Sequence, residues 1–242
     1  MAKQIKSSRF QNILRFFKRT ILILFVSSLV YVVLGKWIMP PITITQLVSF
    51  CKGEGLKRDY VDWEDISYNV KLAAIASEDQ LFAEHGGFDW KAIEKSIDPP
   101  AQRKKKKRAL GAAASTISQQ TAKNVFLWQG SGVGRYVRKI PEMFYTQMIE
   151  WVWGKQRIME VYLNTIEMGK GIYGIEAAAQ NYFHKSAAQL SRQQAAMIIA
   201  CLPNPKKFTV VPLSKRVAWR YPKIMKQMNN LQGDEDVAEL IR

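Results

Sequence analysis

Apolar residues form one uninterrupted stretch near the start of this chain and recur with helical spacing almost everywhere after it. Residues 20–39 read Thr-Ile-Leu-Ile-Leu-Phe-Val-Ser-Ser-Leu-Val-Tyr-Val-Val-Leu-Gly-Lys-Trp-Ile-Met, with Lys36 as the one charge. As a helix the stretch spans about 30 Å, the thickness of a hydrocarbon core. It has no polar face, which argues against the buried helix of a soluble domain. Lys36 can extend its amine to the headgroups, and Tyr31 and Trp37 suit an interface. Pro40-Pro41 stops the helix. The run is long for a cleaved signal, and no small-x-small cleavage pattern follows it, so the expectation is an uncleaved anchor.

The rest of the chain predicts helices. Residues 40–60 read as a short juxtamembrane stretch, and 62–76 as one helix with Leu72, Ile75 and Ala76 on one side. Asp98-Pro99-Pro100 and the basic run at 103–108 make a loop. Thr116 and Gln119 fit a capping box that opens a second helix, and Ser191 and Gln194 fit another whose helix Pro203 ends. Between these lie helices over 135–153, 155–168 and 175–182. A final basic helix covers 214–231, with Asp234-Glu235-Asp236 as a polar tail. There is no run of alternating strands and no repeat of 20–50 residues. One mainly α domain at 61–242, on a membrane stalk, is the expected architecture.

Charge refines this picture. The 242 residues carry a net +16, and the first nineteen hold Lys3, Lys6, Arg9, Arg15, Lys18 and Arg19 without an acid. Those six cations make residues 1–19 a cytoplasmic tail, 20–39 the transmembrane anchor and everything beyond about 42 extracytoplasmic. The remaining excess favours an anionic partner such as nucleic acid, a lipid surface or a phosphorylated substrate. Cys51 and Cys201 are not spaced as metal ligands and do not make a disulfide framework. Cys201, in an apolar run, reads as a buried thiol.

Three clusters could carry chemistry. Glu78 and Asp79 end an apolar helical run and are followed by Phe82, His85, Gly86, Gly87 and Asp89. Adjacent acids repel and the glycine pair unwinds the turn, so a reactive carboxylate at a cleft mouth competes here with a plain helix end. On the helix after Ser115 and Thr116, Gln119 stacks with Lys123 and Gln120 with Asn124, giving adjoining amide rows with one cation. Amides bind hydroxyls and the ammonium binds an anion, a combination suited to a sugar phosphate. Arg135, Arg138 and Lys139 surround Glu142, either as a surface ion pair or as a carboxylate among cations near a polyanion or metal. Gly169 to Gly174 matches G-x-G-x-x-G, but it follows a helix and reads as a tight turn between two packed helices. Walker A, G-x-S-x-G and H-E-x-x-H sequences do not occur.

In order along the chain, Glu78-Asp79-x-x-Phe82-x-x-His85-x-Gly87-x-Asp89, Ser115-Thr116-Ile117-Ser118-Gln119-Gln120-x-x-Lys123-Asn124 and Arg138-Lys139-x-x-Glu142 resemble the first three motifs of the peptidoglycan glycosyltransferases. Residues 158–179, and 194–205 with Leu202-Pro203-Asn204-Pro205, resemble the fourth and fifth. The five together are specific and cover roughly 60–210. The expectation is that no transpeptidase domain accompanies it, so the resemblance is to the monofunctional branch rather than to bifunctional penicillin-binding proteins. Ala113 departs from the family's usual glycine before the Ser-Thr segment, and the run at 103–108 falls where the family is variable.

The resemblance implies a lysozyme-like glycosyltransferase domain that polymerises lipid II by inverting β-1,4 transfer in the bacterial inner membrane, with the catalytic domain periplasmic. Glu78 is then the general base. Lys123, Arg135, Arg138 and Lys139 neutralise the departing pyrophosphate, and Glu142 positions it, directly or through a divalent cation such as Mg or Mn. Asp79, Ser115, Thr116, Gln119, Gln120 and Asn124 complete the substrate-binding set. The implied partners are lipid II, the growing glycan chain, membrane lipid and cell-wall synthesis or division proteins, without nucleic acid. The rival is a lytic, glycan-cleaving enzyme, since lysozyme-like folds also place a Glu at a helix end. A nucleic-acid binder is disfavoured because the 103–108 run lacks interleaved aromatics.

Overall fold

The computed structural model describes residues 2–97, 115–130 and 132–242. The basic run at 103–108 and Ala113 lie outside the described residues. The chain forms two compact units, Met1–Ile38 and Met39–Arg242.

The first unit is a single helix, α1 (Ala2–Leu34), whose segment Gln11–Leu34 is long and apolar enough to cross a membrane. It ends before the predicted limit at Met39. At Gly35, a weak helix former, the ladder tightens into three-residue turns, with Lys36 N bonding Val33 O at 3.2 Å and Trp37 N bonding Leu34 O at 3.1 Å.

The second unit is mainly helical, with a small sheet. Its elements in order are α2 (Ile44–Cys51), β1 (Lys57–Arg58), a 3-10 turn (Trp63–Asp65), α3 (Tyr68–Glu78), α4 (Trp90–Ile97), α5 (Ile117–Phe126), α6 (Val133–Val152) and α7 (Lys155–Thr165). Then come β2 (Glu167–Gly169), β3 (Ile172–Tyr173), α8 (Ile175–Phe183), a second 3-10 turn (Ala187–Gln189), α9 (Arg192–Cys201), α10 (Lys215–Leu231) and α11 (Glu235–Ile241).

Helix α3 is the centre of the fold. Every residue from Val70 to Ala76 is buried, so it has no polar face and packs against α9 and α10. A second layer is α5 against α6 and α7. The helix expected over 62–76 is shorter at its start and longer at its end. Ser67 caps α3 by accepting from Val70 N, and Trp63–Asp65 forms its own turn. The juxtamembrane stretch contains α2, opened by a Thr43–Gln46 capping box.

The glycine-rich 169–174 segment is not a bare turn between helices. It is a hairpin in a three-stranded sheet of order β1-β3-β2, with β1 parallel to β3 at Lys57↔Ile172 and β2 antiparallel. Gly171 has φ 69°, and a Cβ there would sit 2.9 Å from the Glu54 carbonyl carbon. A side chain would therefore push β3 off its neighbours. The tail after α10 is also structured, because Asp234 caps α11 by accepting from Val237 N at 3.0 Å. Cys201 is buried, and burial pushes its thiol up to about 12, while Cys51 is exposed; both are free thiols.

Candidate active site

The site grows from the end of α3. Glu78 is its last residue, and Asp79 turns the chain away. Asp79 is buried. Its Oδ2 accepts from Ile117 N at 2.9 Å, at the start of α5, and its carboxylate meets His85 Nε2 at 2.9 and 3.1 Å. His85 Nδ1 accepts from Gly87 N at 3.1 Å, so Nε2 carries the proton and donates it to Asp79. Thr116 Oγ1 donates to Gly87 O at 2.7 Å. Gly87 has φ 94°, and a Cβ there would lie 2.9 Å from Glu150 Cγ. The spacing of Asp79, His85 and Gly87 thus knits the end of α3 to the start of α5.

On α5, Thr116 and Gln119 spend their side chains on each other. Thr116 Oγ1 accepts from Gln119 N and Gln119 Oε1 accepts from Thr116 N, both at 3.1 Å. Gln120 reaches the reactive carboxylate, its Nε2 donating to Glu78 Oε2 at 3.3 Å. Buried Tyr162 donates its hydroxyl to Gln120 Oε1 at 3.4 Å, which turns the amide nitrogen toward Glu78. Burial and the carboxylates of Glu78 and Asp79 hold the Tyr162 phenol well above its usual range, so it stays a donor.

One turn further on, Lys123 is half-buried. Desolvation lowers its ammonium pKa; Glu142 and Glu78 oppose that, while Arg138 and Lys139 add to it. Asn124 is 4% exposed, and its Nδ2 has no hydrogen-bond partner among the described residues; nor does Thr45 Oγ1 on α2. Both side chains line one groove of about 620 Å³, together with Gln120, Lys123, Trp128 and Lys206. Two orphaned buried polar atoms in one groove mark a place where a polar ligand would complete the bonding. Glu78 lines a second hollow of about 400 Å³ with Ser77, Asp79, Gln80, Ser115 and Thr116. Gln120 joins the two, lining the groove while its amide bonds Glu78.

Helix α6 carries the other carboxylate. Glu142 is 2% exposed; its Oε2 accepts from Arg138 Nε at 3.3 Å and its Oε1 from Lys139 Nζ at 2.5 Å. Arg138 Nη1 also donates to Trp128 O at 2.8 Å and to Gln129 O, holding the loop that walls the groove. This is a buried pair whose guanidinium also holds two backbone carbonyls, unlike a surface i, i+4 pair. Arg135 is exposed on the first turn of α6, its backbone beside Gly130.

The structure therefore brings Glu78, Gln120 and Lys123 into one electrostatic unit with Glu142, Arg138 and Lys139. It places Asp79, Thr116 and Gln119 in contacts that shape the backbone, and Ser115 in the wall of the smaller hollow. The donor set does not fit a divalent ion held by Glu142, since both oxygens already face cations. Among the described residues no three His, Cys, Asp or Glu side chains gather.

Sequence reading missed Arg220 on α10. Its Nη2 donates to Glu78 Oε1 at 3.0 Å and to Ser77 Oγ at 2.7 Å. In the sequence it is one cation among several on a basic helix, 142 residues from its partner, and no local pattern singles it out.

Comparison with known proteins agrees with this geometry. A family model described as transglycosylase matches residues 45–229. A protein of Bdellovibrio bacteriovorus is 43% identical over 91% of this chain and 88% of its own length. One of Caulobacter vibrioides is 44% identical over 88% and 90%, and one of Pseudomonas syringae pv. tomato 42% over 93% and 94%. All three are named biosynthetic peptidoglycan transglycosylase, a name for glycan assembly rather than cleavage. Five ordered motifs, a carboxylate at the end of a buried helix and these relatives agree: the chain belongs to the transglycosylase family, enzymes that polymerise the glycan strands of peptidoglycan.

Proposed function

We propose that the substrate is lipid II and that transfer is a single inverting displacement with Glu78 as the general base. The acceptor sugar's 4-hydroxyl attacks the anomeric carbon of a polyprenyl-pyrophosphate-linked donor. As the new glycosidic C–O bond forms, the anomeric C–O bond to phosphate breaks. The electron pair leaves with the pyrophosphate, and the hydroxyl proton passes to Glu78. Lys123, Arg138 and Lys139 offset the charge that develops on the leaving group, and Glu142 keeps those cations in place. Gln120 and Asn124 hold sugar or phosphate oxygens, and exposed Arg135 meets the phosphates as they enter. The observation that carries this reading is the linkage of Glu78 to the Lys123 groove through the Gln120 amide. Hydrolysis needs no such concentration of cations beside the base.

The N-terminal apolar helix fits a single-pass anchor. We place it in the inner membrane, with the six basic residues cytoplasmic and the catalytic unit periplasmic. A polyprenyl substrate never leaves the bilayer, so a tethered enzyme meets it in two dimensions. Glycan-synthesis or division proteins at the same membrane are the expected neighbours.

Incubation of the full chain in detergent micelles with purified lipid II should give polymer, and with preformed glycan no cleavage. Polymer formation at a normal rate by E78Q would remove the base assignment.

A further inference from the structure

The end of α3 is an unfavourable place for negative charge. The last carbonyls of the helix present the negative end of its dipole there, and Asp79 adds a second negative charge one residue on. Arg220 is placed against both effects. It comes from α10, which packs on α3, and its side chain is 18% exposed. One nitrogen, Nη2, meets Ser77 Oγ at 2.7 Å, Glu78 Oε1 at 3.0 Å and Ser77 O at 3.5 Å. Ser77 Oγ itself donates to Glu78 Oε1 at 2.8 Å. The two oxygens of the base are therefore unequal. Among the described residues, Oε1 receives a hydroxyl and a guanidinium, whereas Oε2 receives one long amide bond from Gln120 at 3.3 Å.

We infer that Arg220 is a positioning residue for the transfer reaction, clamping Oε1 of Glu78 so that Oε2 is the oxygen presented to the acceptor hydroxyl. The inference rests on the reading of Glu78 as base and adds to it which oxygen takes the proton and what keeps that oxygen free. Other groups facing Glu78 do not duplicate the clamp. Asp79 from α3 is engaged by His85 and Ile117 N. Lys123 from α5 acts on Glu78 only through space. Tyr162 from α7 and Cys201 from α9 are uncharged at neutral pH, their hydroxyl and thiol held high by burial.

The test is the pH dependence of lipid II polymerisation by the full chain in micelles, for R220Q, R220K and E78Q, with thermal unfolding of each. For R220Q we expect kcat to fall about 100-fold with KM within about threefold, and the acidic limb of the kcat/KM profile to move up by about one pH unit or more. R220K keeps the charge but not the planar fork; its limb should stay near the wild-type position while kcat falls about tenfold. If R220Q does not fold, R220K decides: an acidic limb that moves as far as one unit, or a kcat equal to wild type, overturns the clamp. An R220Q profile with an unmoved limb, its loss confined to unfolding temperature, overturns it as well. An active E78Q would remove the base reading itself, whereas an inactive E78Q beside an unmoved R220Q limb removes the clamp alone.

Discussion

Two carboxylates act on Lys123, and their surroundings differ in what they leave open. Glu78 stands at a helix end, faces a hollow of about 400 Å³ and, among the described residues, has one oxygen engaged only by a long amide bond. Glu142 is closed in, with Arg138 and Lys139 each taking one of its oxygens. The same side chain is thus used once where a proton can arrive and once as a fixed negative charge that gathers positive ones. Chemistry of the first kind depends on access. That of the second depends on burial, because an ion pair holds its geometry best where water does not compete.

Substitutions that remove charge but keep shape sharpen the contrast. The largest effect is expected for E78Q: polymerisation should drop by about 1,000-fold or more with the unfolding temperature nearly unchanged, as read by single-turnover assays and calorimetry. Next is K123M, which removes one cation from the leaving-group side and should cost about 100-fold in kcat. E142Q should lose about tenfold in turnover but also roughly 3 kcal/mol of stability, because it strands a buried guanidinium. A variant that lost activity alone would make Glu142 resemble Glu78 and break the comparison.

The alkaline limb offers a finer test. Desolvation sets the Lys123 ammonium below the ordinary lysine value of 10.5, so this group loses its proton earlier as pH rises. Activity that needs the cation should therefore fall below that pH in kcat/KM profiles, and K123R should carry the limb upward. The smallest effects separate the capping boxes at Thr116 and Ser191. S191A on α9 should cost about 1 kcal/mol with turnover unchanged. T116A should cost slightly more, because Thr116 also holds Gly87 O, and turnover should fall with it.

Local features of this fold were legible in the sequence, and long-range ones were not. Capping boxes at Thr116 and Ser191 follow from residues three apart, and both helices begin where expected. The same pattern at Thr43 and Gln46 was available but lay beside the apolar anchor, which drew the whole region into a membrane-proximal reading. The helix expected over 62–76 begins later because Ser67 caps it, while Trp63–Asp65 forms its own turn. The 169–174 hairpin leaves no trace in the sequence pattern because its strands are too short to show alternation. At the site, Glu78 stood out through its odd neighbours. Asp79, expected to bind substrate, instead spends its carboxylate on partners distant in sequence, one of them the Ile117 amide 38 residues on. Gln119 and Gln120 are adjacent amides with opposite duties, because a helix turns about 100° between them. Arg220 needed the fold itself.

The bond from Ile117 N to Asp79 places a fixed point one peptide unit from the base, within about 3.8 Å along the backbone. Helix α5 also supplies Gln120, Lys123 and Asn124 to the groove. Any inhibitor seated there grips the same rigid piece that aims Glu78. A resistance mutation that worked by sliding α5 would drag the base out of line as well, so escape by that route should come with a slower enzyme.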